Sequence, residues 1–113
     1  MRQQLLKWQW EGYPQFHKDK LNLVIHILTV PVFVGSLFNV VWSLAHLWLV
    51  NAAFSSLGMV IAFAAQAFGH KREKNPAIPF DGAGDAFSRI FVEQLITFWR
   101  FVFSGKWFAA LRS

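Results

Sequence analysis

Apolar residues form one long block in the middle of the chain. From Leu21 to Gly69 the sequence runs for 49 residues without a Lys, Arg, Asp or Glu. A helix that crosses a bilayer needs about 20 apolar residues, so the block has room for two spans and the turn between them. It predicts a membrane hairpin over residues 21–69, within an all-α, membrane-embedded helical bundle.

Polar residues inside the block predict where the chain turns. We expect the first span to run from about Leu21 toward Val40, with Pro31 inside it, and the turn to fall between residues 38 and 51. The second span then covers residues 52–68. Its many Ala, Ser and Gly residues favour close packing against the first span.

The flanks have a different pattern, in which apolar and polar residues are mixed. Residues 1–12 predict a short segment at the membrane interface, broken at Gly12. Asp19 or Asn22 is placed to cap the first span. The flanks and the hairpin together predict a single membrane domain, residues 1–113.

A loop rich in Pro and Gly follows the block, and helical periodicity returns over residues 85–104. This stretch predicts an amphipathic helix or a third membrane helix, flanking the hairpin. Asp85 is the expected N-cap, and Gly105 is expected to end the helix. Arg89 and Glu93 are spaced for an intrahelical ion pair.

The basic residues predict the orientation in the membrane. Four Lys or Arg lie in residues 1–20, none in 21–70 and three in 71–74. The positive-inside rule therefore puts both ends of the hairpin in the cytoplasm. Two spans return the chain to its starting side, so His26 and His70 are expected near one membrane surface. The opening residues lack a secretory signal pattern, and the expected location is the bacterial inner membrane.

Composition agrees with a membrane protein. Apolar residues make up 55% and charged residues 15%, against roughly 25% charged in an average soluble domain. The net charge is +5, but the basic residues sit at the margins of the apolar block. They are expected to meet membrane lipid rather than nucleic acid. A homo-oligomer is compatible with this pattern.

Histidines mark the two ends of the block. If the chain turns between His17 and His26, the cytoplasmic end of the hairpin can gather His17, His26, His70 and Glu73. Imidazoles with a carboxylate are ligands that suit Fe(II), Zn or Mn. The alternative is that these are interfacial residues without a metal, with Glu73 a surface ion-pair partner. His46, near the turn, is interpreted as structural.

Three stretches resemble a known family, namely YPQFHKDKLNLVIHILTVPVF, AFGHKREKNPAIPF and SRIFVEQLITFWRFVFSGKW. The family is the small integral membrane proteins that include the fungal 2-hydroxy fatty acid dioxygenase. The resemblance implies an Fe(II)-dependent dioxygenase that shortens 2-hydroxy fatty acids by one carbon. His17, His26 and His70 match the motif histidines and would ligate the iron.

The resemblance also implies roles for neighbouring residues. Asn22 and Glu73 match motif positions and would orient or complete the catalytic site. Lys71 and Arg72 would draw in the carboxylate of a fatty-acid-like substrate. Three rival functions remain open: a non-enzymatic membrane scaffold or partner-binding protein, a haem protein with two axial histidines, and a transporter, which would have to oligomerise to line a path.

Overall fold

The computed structural model describes residues 3–113, and within that range the chain is helical and contains no strand. The first two residues of the predicted N-terminal segment lie outside the described range. A 3₁₀ turn (Tyr13–Phe16) follows the first helix, and a π-helical turn (Glu93–Thr97) joins the fourth to the fifth. The helices are α1 Leu5–Gly12, α2 Lys20–Ala45, α3 Leu49–Lys71, α4 Ala83–Val92, α5 Phe98–Phe103 and α6 Lys106–Arg112.

The long helices α2 and α3 form the predicted hairpin. They are the two helices of the described chain that are long and apolar enough to cross a membrane. The turn between them is His46–Trp48, inside the predicted stretch, and Leu47 adopts a positive φ of 59° there. Asp19 caps α2 by accepting a hydrogen bond from the Asn22 backbone N–H at 3.0 Å, which confirms one of the two predicted caps.

Polar side chains inside the hairpin bond to each other across it. Asn51 donates a hydrogen bond to Ser43 Oγ at 2.7 Å, and Asn39 donates one to Ser55 Oγ. Such bonds between helices satisfy polar groups that apolar surroundings would otherwise leave unpaired.

The shorter helices cover only the histidine end of the hairpin. The buried core lies there and consists of Tyr13, Leu23, Val30, Phe98, Phe101 and Trp107. Trp107 also fixes α6 to α2, since its Nε1–H donates to the Leu23 carbonyl at 3.1 Å. At the opposite end the hairpin is bare: Phe38, Leu47 and Phe54 are 65%, 80% and 70% exposed.

The third helical region differs from the prediction in three details. It begins at Ala83 after Gly82, whose φ is 95°, rather than at an Asp85 cap. Arg89 pairs with Asp85, Nη1 to Oδ2 at 3.2 Å, so the predicted pair with Glu93 is wrong. Gly105 ends α5 as expected, with a φ of 84°, but the chain then continues as α6.

Candidate metal centre

Four side chains converge at the histidine end of the hairpin. One ligand atom from each of His17, His26, His70 and Glu93 lies within 4.8 Å of all the others. His17 follows the 3₁₀ turn, His26 lies in the second turn of α2, and His70 lies in the last turn of α3. Glu93 opens the π-helical turn. Four separate elements therefore contribute one group each.

The three imidazole rings pack edge to face around a common point. Ring centroids are 5.0 Å apart for His17 and His26, 4.7 Å for His17 and His70, and 5.0 Å for His26 and His70. This spacing leaves no room for a porphyrin between any two of them. The geometry disfavours a two-histidine haem site and suits a single small ion.

Backbone carbonyls fix the tautomers of two histidines. Nδ1 of His17 lies 2.8 Å from the Tyr13 carbonyl, and Nδ1 of His26 lies 2.9 Å from the Asn22 carbonyl. A carbonyl only accepts, so each Nδ1 carries a proton, which leaves Nε2 as the ring nitrogen available to a ligand. Metal-binding histidines are typically held in this way by a carbonyl or carboxylate behind the ring.

The nitrogens that face the centre have no hydrogen-bond partner. These are Nε2 of His17, Nε2 of His26 and Nδ1 of His70. A buried polar atom left unpaired costs roughly 1–3 kcal/mol, so three together point to a missing partner. Three imidazole nitrogens and a carboxylate form a donor set that fits Fe(II), Zn or Mn.

Glu93 supplies the carboxylate, and Tyr13 orients it. Glu93 Oε2 lies 3.4 Å from His17 Nε2 and 3.6 Å from His26 Nε2. Burial alone would raise the pKa of Glu93, but the three adjacent imidazoles lower it to about 2. The Tyr13 hydroxyl donates to the same oxygen at 2.6 Å. Burial and the charge of Glu93 raise the pKa of Tyr13, so Tyr13 stays a neutral donor.

Glu73, the carboxylate expected at the site from the sequence, lies elsewhere. Its oxygens accept the backbone N–H groups of Lys18 and Asp19 at 2.9–3.1 Å. They also accept the side-chain amide of Asn22 at 2.7 Å. Glu73 thus ties the end of α3 to the start of α2, which carries His26. In this position Glu73 and Asn22 hold the ends of α2 and α3 together and do not belong to the group of four converging side chains.

The two predicted substrate-binding residues occupy different places. Lys71 lines a cavity of about 670 Å³ beside the centre, whereas Arg72 pairs with Asp19, Nε to Oδ2 at 3.0 Å. The cavity reaches His17, His70 and Glu93. Most of its remaining wall is apolar or aromatic, including Trp8, Phe16, Phe63, Ile78, Phe80 and Ile90.

A buried amide pair brings Glu93 to the histidines. Gln66 and Gln94 exchange two hydrogen bonds, at 3.1 and 2.7 Å, and join α3 to the π-helical turn. The turn itself changes the direction of the side chains, since one extra residue per turn breaks α-helical spacing. The sequence signal for Glu93 was limited to a single acidic residue in an otherwise apolar stretch.

Compared with known proteins, the chain matches no family description, no curated protein and no solved structure.

Proposed function

We propose that this chain is a membrane-embedded, non-haem Fe(II) dioxygenase that acts on 2-hydroxy fatty acids or similar lipids. The observation that carries the proposal is the centre formed by three histidines and Glu93 beside an apolar cavity. The resemblance of the histidine stretches to the family of the fungal enzyme supports the same chemistry.

The exposure of the hairpin supports a membrane location. Only 17% of the most apolar stretch of α2, and the same share of α3, is buried within the protein. A core helix of a soluble protein would be mostly buried. The exposed Phe, Leu and Val side chains along both helices would pack favourably against the acyl chains of a bilayer. Trp42 and Trp48, at the turn, suit the headgroup level.

His17, His26, His70 and Glu93 would hold the iron. Bound there, Fe(II) would supply open positions for O2 and for one oxygen of the substrate. Tyr13 keeps one carboxylate oxygen of Glu93 hydrogen-bonded, and the carbonyls of Tyr13 and Asn22 keep two imidazoles in the correct tautomer. These residues hold the donors in place before any ion arrives.

The cavity supports the proposed substrate class. Its largely aromatic and aliphatic wall suits an acyl chain. Lys71 lines the same cavity and offers an ammonium group to the carboxylate of a 2-hydroxy acid. A soluble polar substrate would leave most of this wall in contact with water or unfilled.

Metal content is the first test. Wild-type protein, purified in detergent and loaded anaerobically with Fe(II), should retain close to one iron per chain. His26→Ala, His70→Ala and Glu93→Gln should lose most of it. His46→Ala is the matched control, because His46 is exposed at the hairpin turn and should leave the iron content unchanged.

Activity is the second test. Loaded wild-type protein should consume one O2 per 2-hydroxy fatty acid and release CO2, water and an acid that is one carbon shorter. Iron binding without turnover would refute the dioxygenase while keeping the metal centre. Absence of metal from every sample would leave the non-enzymatic scaffold as the better description.

A further inference from the structure

Two cations from different helices converge on one tryptophan away from the metal centre. Arg100 Cζ lies 4.2 Å from the centre of the Trp10 ring, and Lys106 Nζ lies 4.7 Å from it. Trp10 is partly buried and packs against the core. Both cations therefore lie close to one aromatic ring, and that ring is fixed in position by its packing against the core.

Neither cation has an acidic partner in the described chain. Arg100 and Lys106 form no ion pair with any carboxylate of residues 3–113. The carboxylates are otherwise engaged, apart from Asp81 in the loop: Glu11 with Lys7, Asp19 with Arg72, Asp85 with Arg89, Glu73 with backbone N–H groups and Glu93 with Tyr13. The positive charge at Trp10 is thus uncompensated within the described part of the protein.

The pair lies at the end of the protein where the membrane surface is expected. Lys106 adjoins Trp107, which bonds to the Leu23 carbonyl near the start of α2. Arg100 adjoins Phe101, which packs against Tyr13 with ring centroids 5.0 Å apart. Apolar side chains flank the site on each helix, since Leu6, Phe103 and Phe108 are 48%, 81% and 48% exposed.

From this arrangement we propose that Trp10, Arg100 and Lys106 bind the phosphate of an anionic phospholipid. Both cations are held at the same indole ring, where their charges attract one anionic headgroup. Tryptophan is favoured at the headgroup level of a bilayer. The flanking Leu and Phe side chains suit the acyl chains of the same molecule, which favours a lipid over a free phosphate ion.

Native mass spectrometry of the full chain in detergent tests this site. Phosphatidylglycerol and phosphatidylcholine with identical acyl chains are titrated separately. We expect tighter binding of phosphatidylglycerol to the wild type. Arg100→Gln and Lys106→Gln should each weaken it about fivefold, with phosphatidylcholine binding unchanged. Lys74→Gln is the matched control, because Lys74 is exposed at the same end of the hairpin.

The remaining outcomes separate this site from its rivals. Equal binding of the two lipids, or an equal loss in Lys74→Gln, would refute a defined site at Trp10. Competition by millimolar inorganic phosphate would assign the site to a soluble anion and refute the lipid. Trp10→Phe should weaken binding without unfolding the protein. Iron content of Arg100→Gln should match wild type, so this test fails or succeeds independently of the metal centre.

Discussion

Tyr13 contacts two of the four candidate ligands at once. Its hydroxyl donates to Glu93, its carbonyl accepts from His17, and its ring stacks on the His17 ring with centroids 3.7 Å apart. The hydrogen bond from His17 to the Tyr13 backbone carbonyl does not depend on the side chain at position 13. The stacking on His17 would be kept by a phenylalanine ring. The hydroxyl is therefore the one part of Tyr13 whose contribution can be removed alone.

Tyr13→Phe should lower metal affinity roughly 10- to 100-fold, as loss of a group that orients a ligand usually does. The physical reason is that Glu93 becomes free to rotate away from the imidazole nitrogens. Co(II) absorption, titrated against a chelator, measures the affinity. Thermal unfolding of the metal-free variant is the control and should change little. Unchanged Co(II) affinity would contradict the orienting role.

At this scale the sequence predicted the histidines and missed the carboxylate. His17, His26 and His70 could be found because each lies at the margin of the apolar block, and two spans return the chain to one side. The sequence predicts Glu73 at the site because its spacing puts it on one helix face with His70 and because it matches a motif position, and it predicts Glu93 as the partner of Arg89. The residues around Glu73 do not indicate that its carboxylate binds backbone N–H groups, because those groups belong to residues more than fifty positions away.

Close approach of α2 and α3 depends on a glycine at the histidine end. A Cβ on Gly69 would collide with the side-chain oxygen of Asn22 and lie 3.3 Å from its Cα. Asn22 has little freedom to move, because its amide donates to Glu73 and its carbonyl accepts from His26. Gly69 therefore sets the distance between the two helices that carry His26 and His70.

Gly69→Ala should destabilise the folded protein by roughly 1–3 kcal/mol, as overpacking does, and should lower metal affinity as well. Gly35→Ala is the matched control: it lies in α2 with nothing within 4 Å of an added Cβ. That change should be neutral or stabilise by up to about 1 kcal/mol through helix propensity. Unfolding in a denaturing detergent compares the two, and equal stabilities would refute the close-packing argument.

The sequence predicted the presence and order of the long helices more accurately than it predicted the residues at which they begin and end. The length of the apolar block determined a hairpin, and the polar residues between 38 and 51 located its turn. The π-helical turn at Glu93–Thr97 could not be predicted, since it is stabilised by the distant amide of Gln66. The same tertiary contact lies next to Glu93, which faces the histidines. Arg89 instead pairs with Asp85 one turn earlier in α4 and donates to the carbonyls of Ile78 and Pro79.

On the scale of the whole molecule, the two ends of the hairpin are chemically different. One end carries the buried centre, the uncompensated Arg100 and Lys106, and the shorter helices. The other is a bare pair of helices with Trp42 and Trp48 beside the turn. If the hairpin crosses a membrane, the turn and the segment after α3 lie on opposite sides.

Single cysteines test that arrangement, because the natural chain contains none. Leu47→Cys places a thiol at the turn, and Lys74→Cys places one beyond α3; both native side chains are exposed. In intact cells a membrane-impermeant maleimide should label Leu47→Cys only. After lysis it should label both. Labelling of Lys74→Cys in intact cells, or of neither thiol after lysis, would contradict the proposed orientation.

The wide spacing of the ligands along the chain also sets an order of events during synthesis. His17 and His26 leave the ribosome first, His70 follows only after the hairpin, and Glu93 comes last. If the two apolar helices insert into a membrane as they are made, insertion can be complete while the candidate donor set still lacks its carboxylate. A metal bound at the proposed centre would then enter a protein already in its membrane and would tie together segments made at the beginning and near the end of translation.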